Sequence, residues 1–215
     1  MNRPTTDDPT HAHDVDLDDT FDFLNTSELE DGSQVERLTS LDEALDWFLE
    51  RGVIHHEGAQ HARDAAIARP ANGVRALGRI RRVRDALREV SDAVVAHETP
   101  DLGAVEVVND ALRSRQLIEL VPAPGGVGVD HRHVGDPVDD ALARLADPLV
   151  IELASGDPER IRVCANDTCR WVFYDSSRSA RRRWCDMATC GNRAKAARHR
   201  ARQRTADAGS DAPAI

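Results

Sequence analysis

Residues 164–202 read CANDTCRWVFYDSSRSARRRWCDMATCGNRAKAARHRAR. Cys164 and Cys169 form one C-x4-C pair and Cys185 and Cys190 a second, and the chain has 4 cysteines in all. Two short-spaced pairs at this separation suit one tetrahedral Zn²⁺ ion. Each pair takes two corners, and the connecting loop swings the second pair round. All four corners are then filled by protein, so one structural zinc per chain is expected and no open position is left for catalysis. Disulfides are the competing reading. The N-terminus, MNRPTTDDPTHAHDVDLDD, lacks the basic start and apolar run of a secretory signal. A cytoplasmic location is therefore expected, and a reducing compartment disfavours disulfides.

Within this stretch Arg170–Tyr174 is rich in β-formers and is expected to be a strand. Arg181–Trp184 is its expected partner, and Asp175-Ser176-Ser177 the turn residues. A helix should begin near Asp186 or Met187, with Cys190 in its first turns, where N–H groups and the helix dipole favour thiolate. Beyond it Ala194, Ala197 and Ala201 make a small-residue stripe. Lys195, Arg198 and Arg202 lie on one flank, and Arg193, Arg200 and Arg204 on the other. Trp171 and Trp184 are expected to form a small core around the metal, and Gly191 and Asn192 to serve backbone geometry beside it.

The net charge of −10 conceals an asymmetry. Residues 160–205 carry thirteen Lys+Arg against three acids, a net of +10, while the remainder carries fifteen against thirty-five, a net of −20. The basic part points to a polyanion partner. The opposite charges predict that the acidic part docks on the basic part and restrains it. No apolar run is long enough to span a bilayer.

Upstream, composition predicts a disordered acidic tail over 1–19, a helical domain over 20–155, the cysteine segment over 158–205 and a disordered tail over 206–215. FDFLNT (21–26) is the first sign of order. Ser40, with Glu43 three residues on, opens a helix of 3.6-residue period that Gly52 ends. Further helices are expected over 54–69, 72–97, 101–112 and 137–154, with strands over 117–121 and 127–134 and a short linker at Gly156-Asp157-Pro158. The fold class is mainly α with a small β-hairpin (α+β): a helical N-terminal domain and a small C-terminal finger of two knuckles, a hairpin and a basic helix. His55, His56, Glu57 and His61 miss the spacing of a zinc-protease helix and read as solvated polar residues. His131 and His133 share a strand face but lack further ligands. Arg79, Arg81, Arg82 and Arg84 read as a solvated helix face ahead of a second polyanion site.

The stretch 173–202 resembles the CGNR zinc finger of bacterial proteins, through Tyr174-Asp175 before Ser177-Arg178, Arg182-Arg183-Trp184-Cys185 and Cys190-Gly191-Asn192-Arg193-x-Lys195. Ser179 stands where the family usually carries Asn. FDFLNT, the helices and the hairpin resemble the ABATE domain that commonly precedes that finger. The resemblance implies a stress-responsive transcriptional regulator with a DNA-binding finger.

The expected function is a zinc-dependent DNA-binding regulator whose helical domain senses a small-molecule signal or forms a homodimer. Arg178, Arg181, Arg182, Arg183, Arg193, Lys195, Arg198 and Arg200 are the expected nucleic-acid contacts. The alternative is a zinc-scaffolded adaptor for RNA or acidic protein. A thiolate redox switch ranks third. An enzyme is not expected, because no nucleophile–base pair, phosphate loop or open metal site appears in the sequence.

Overall fold

The computed structural model describes residues 15–30, 33–114, 117–123, 125–132 and 135–210. The first helix, α1 (Leu17–Leu24), begins earlier than composition predicts. Asp16 accepts from the Asp19 N–H, and the Asp19 carboxylate accepts from the Asp16 N–H, a reciprocal cap built from two of the acids that made the segment look like tail. This corrects the expected disorder of residues 16–19; residues 1–14 lie outside the described residues. Phe21, Phe23 and Leu24 of α1 are buried, so FDFLNT is a helix end and the turn that follows it.

A β-hairpin follows, β1 (Ser27–Glu30) with β2 (Ser33–Glu36). Then come α2 (Leu41–Glu50), α3 (His56–Ala68), α4 (Pro70–Ala96) and α5 (Leu102–Leu112). The expected capping box of Ser40 and Glu43 starts α2, and His97, in the left-handed region at φ 57°, ends α4. The strands β3 (Leu117–Ala123) and β4 (Gly126–Arg132) form the expected hairpin, with Gly125 at φ 86° in its turn. His133 lies outside the described residues, as does the His131 side chain, so the pair is not placed. The helix α6 (Pro137–Ser155) closes the helical part.

One core joins the helices α1 to α6. Phe23 from α1, Leu45 and Phe48 from α2, Ile80 and Leu87 from α4, and Leu142, Leu145 and Leu149 from α6 are all fully buried. The Thr20 hydroxyl donates to the Leu145 carbonyl at 2.9 Å, locking α1 onto α6. Four arginines of α4 anchor its surroundings. Arg84, 2% exposed, donates through both terminal nitrogens to the Glu36 carboxylate at 2.7 Å. Arg81 donates to the Leu38 carbonyl at 2.7 Å, Arg79 pairs with Asp136 and Asp139, and Arg88 pairs with Asp92. Three of the four residues read as a solvated run (Arg79, Arg81 and Arg84) thus cross-link the domain, and Arg82 alone of that run is exposed with no ion pair among the described residues.

Past a 3-10 turn at Pro158–Arg160, β5 (Ile161–Val163) pairs antiparallel with β6 (Val172–Tyr174). This corrects the expected partnership of 170–174 with 181–184. Ile161 and Val172 are both 1% exposed and belong to the main core, whereas Arg181, Arg182 and Arg183 are exposed. Burial of two β-branched side chains selects the upstream partner; pairing the triple arginine there would bury charge. A five-residue π turn, Met187–Gly191, then opens the last helix, α7 (Asn192–Ser210).

Candidate metal centre and basic helix

The loop between β5 and β6 holds the first cysteine pair. Cys164 N–H donates to the Trp171 carbonyl at 2.8 Å, and Cys169 N–H to the Asn166 carbonyl at 2.8 Å, closing a knuckle that Arg170 leaves at φ 60°. The Asn166 amide donates to the Cys190 sulfur at 3.5 Å. Asp186 builds the second knuckle. Its carboxylate accepts from the Ala188 N–H and the Thr189 hydroxyl, both at 3.0 Å, and its carbonyl accepts from Gly191 N–H at 3.1 Å.

The four Sγ atoms lie within 4.8 Å of one another. Cys169 and Cys185 are 3.7 Å apart, and Cys185 and Cys190 3.8 Å. A tetrahedron with Zn–S bonds of about 2.3 Å has edges of about 3.8 Å. A disulfide needs about 2.05 Å, and all four cysteines are free. The donor set therefore fits one structural zinc ion. Cys164 and Cys190 are buried, while Cys169 and Cys185 are half-buried. Burial and the neighbouring thiols push the Cys169 thiol up to about 11 and the Cys185 thiol higher still. Crowded thiolates without a cation are unfavourable, and Zn²⁺ supplies the missing charge. At Cys190 burial acts in the same direction, but the Asn166 amide and the adjacent thiols outweigh it and lower its pKa.

The motif residues around the metal have local tasks. Asp175, fully buried, accepts from Ser177 N–H at 3.0 Å and Arg182 N–H at 2.7 Å. Burial opposes its ionisation, but these hydrogen bonds hold its carboxyl below the usual range. A Cβ at Gly191 would come within 2.5 Å of the Met187 sulfur, so a side chain there requires the exposed end of Met187 to swing aside. Asn192 donates to the Ala188 carbonyl at 2.9 Å and caps the π turn. Phe173, Trp171 and Trp184 pack around the cysteines, as expected for a small metal-centred core.

The expected nucleic-acid residues separate into two groups. Arg182 donates to the Cys185 carbonyl at 2.6 Å and lies over the Phe173 ring at 5.0 Å; Arg183 lies over Trp184 at 5.3 Å. Both also stabilise the second knuckle. Arg178, Arg181, Arg193, Lys195, Arg198 and Arg200 are exposed and make no ion pair among the described residues. The last four stand on α7, whose main packing is against its own π turn.

Reading by residues misses how the finger is seated. Asn25 clamps β6: its amide donates to the Val172 carbonyl and its carbonyl accepts from the Val172 N–H, both at 2.9 Å. Trp171 Nε1 donates to Glu28 at 3.0 Å, Arg88 donates to the Arg170 carbonyl at 2.7 Å, and the Tyr174 hydroxyl donates to Glu152 at 3.0 Å. The expectation that opposite charges dock the two parts is thereby replaced. An apolar hairpin with matched hydrogen bonds makes the junction, and α7 stays outside it.

A helical domain fused through a shared core to a four-cysteine zinc finger defines the class. Residues 160–203 match the CGNR zinc finger family. Residues 20–157 match the ABATE family, described as "Putative stress-induced transcription regulator", and the chain belongs to that family. Neither description names an enzyme. No curated protein matches the chain. Among the described residues no helix is long and apolar enough to cross a membrane.

Proposed function

We propose that the protein is a DNA-binding transcriptional regulator of the bacterial cytoplasm, acting under stress, in which the zinc-built finger presents α7 to duplex DNA. The observation that carries this reading is the exposed basic helix, where Arg193, Lys195, Arg198 and Arg200 make no ion pair among the described residues, whereas Arg79, Arg84 and Arg88 of α4 are paired within the fold. Arg178, Arg181, Arg193, Lys195, Arg198 and Arg200 supply phosphate contacts, and Arg182 and Arg183 join them only through the part of each guanidinium not engaged locally.

The two units, 20–155 and 158–205, divide the work. The helical unit senses a signal or dimerises. A cleft of about 800 Å³ between α3, α4 and the start of α6, lined by His61, Val74, Arg75, Arg79, Arg82 and Asp136, supports the sensing role. The test is fluorescence anisotropy of a labelled duplex titrated with the zinc-loaded chain over a range of salt. Binding should weaken linearly on a log–log plot, with a slope near −0.9 per phosphate contact, about −5 for these residues together. Flat salt dependence, or binding only to RNA or acidic protein, contradicts the proposal.

A further inference from the structure

The distribution of charge around α7 carries an inference that rests on the DNA-binding reading and sharpens it. At about 100° per residue, Arg193 and Arg200 share one flank, and Lys195 and Arg198 share a second, about 170° away round the helix. Two faces separate these flanks. One begins at Cys190, buried against the metal centre, and continues through Ala194, which is half-buried. The finger body therefore sits on this face over the first turn, and Ala197 and Ala201 further along it are exposed. The opposite face presents Ala196, His199 and Gln203, all exposed.

This four-sided division matches one kind of site. A helix lying on a flat acidic surface or a membrane needs its cations on a single face. A helix lying lengthwise in a groove walled by two phosphate backbones needs them on two opposed flanks. The third side then meets the groove floor, and the fourth carries the rest of the protein. The B-form major groove, about 12 Å wide, admits a helix, whereas the A-form major groove is too deep and narrow. Arg193 to Arg200 spans about 10 Å at 1.5 Å per residue, or about three base-pair steps.

We infer that α7 enters the major groove of B-form DNA, with Arg193 and Arg200 on one strand's phosphates, Lys195 and Arg198 on the other's, and His199 and Gln203 toward the base edges. Ala196, small and beside them, lets the backbone approach the floor. The imidazole and the carboxamide each combine donor and acceptor capacity, which reading base edges requires.

The experiment uses the zinc-loaded full chain and four probes. These are a mixed-sequence DNA duplex, the same duplex with glucosylated hydroxymethylcytosines filling the major groove, the same duplex with netropsin in the minor groove, and an RNA duplex of equal length. Glucosylation and the RNA duplex should each weaken binding about tenfold or more, and netropsin less than about twofold. Arg193→Ala/Arg200→Ala and Lys195→Ala/Arg198→Ala should each lower the salt slope by about one to two, with zinc content and helix signal unchanged. His199→Ala/Gln203→Ala should keep the slope and flatten the sequence preference recovered by selection from random duplexes. Equal binding to plain and glucosylated DNA, or a salt slope carried by one flank alone, overturns the groove assignment while leaving DNA binding intact. No binding to any DNA duplex overturns the DNA-binding reading and this inference together.

Discussion

α4 and α7 are both arginine-rich helices, and they spend their arginines in opposite ways. In α4, Arg79, Arg81, Arg84 and Arg88 each reach a carboxylate or a carbonyl of the fold, and Arg84 is nearly inaccessible. In α7, Arg193, Lys195, Arg198 and Arg200 are exposed, and no ion pair neutralises them among the described residues. A count of arginines in the sequence therefore does not identify a binding surface. What separates the two helices is the supply of acids within reach: α4 packs among α2, α3, α5 and α6 and reaches Glu36 of β2, while α7 leaves the finger at its π turn. The first set should govern stability and the second binding.

The largest effect should come from the metal. Cys164→Ser should lose the zinc ion and unfold the finger, because metal binding and folding are coupled, with apparent zinc binding worth about 10 kcal/mol or more in such segments. Because Ile161 and Val172 belong to the main core, the helical part should be destabilised as well. Metal analysis and thermal unfolding of the same sample check this. An unchanged Tm of the helix signal would contradict the shared core.

Arg84→Ala comes next. It strips the Glu36 carboxylate of both terminal nitrogens of its partner and should cost about 3 kcal/mol in urea unfolding. Asn25→Ala should cost about 2 to 3 kcal/mol, since it leaves the N–H and the carbonyl of buried Val172 unpaired. Neither variant should alter the salt slope of DNA binding, provided the measurement is made where the chain remains folded.

Acid offers a finer test. Burial opposes ionisation of Glu36, but the Arg84 hydrogen bonds, the Leu38 N–H and the charges of Arg84 and Arg81 outweigh it and lower its pKa. A carboxylate with a lowered folded-state pKa stabilises the fold above its unfolded value, near 4, and loses that contribution as pH falls through the folded value. The stability gap between the parent and Glu36→Gln should thus be widest at neutral pH and narrow below about pH 4. A gap that widens on acidification would reverse the assigned sign.

Much of this molecule is legible in its sequence. The Ser40–Glu43 cap, the periodic helices and the paired cysteines are local signals, and the structure expresses them locally. The misses have physical causes. The acids at Asp16 and Asp19 lower mean hydropathy, and that average hides the reciprocal cap they form. The β1–β2 hairpin is short and polar, so it shows little alternation, although Asp31-Gly32 between its strands is a strong turn signal. The pairing of 161–163 with 172–174 spans a metal loop, and its preference comes from the helical core it covers, information held far away at Asn25 and α4. The metal centre is readable because four thiols need only each other. The proposed nucleic-acid contacts are less so, because free and internally paired arginines look alike in sequence.

The most direct measurement compares two multiple variants of the zinc-loaded chain in the same pair of assays. One removes Lys195, Arg198 and Arg200 from α7 as glutamine; the other removes Arg79, Arg81 and Arg84 from α4 in the same way. Duplex DNA affinity and Tm are read for both. The α7 variant should bind about tenfold or more weakly with its Tm within about 2 °C of the parent, as surface substitutions cost within about 0.5 kcal/mol. The α4 variant should lose Tm strongly and, below its transition, bind DNA as the parent does. DNA affinity that survives in the α7 variant and falls in the folded α4 variant would contradict the assignment of binding to α7.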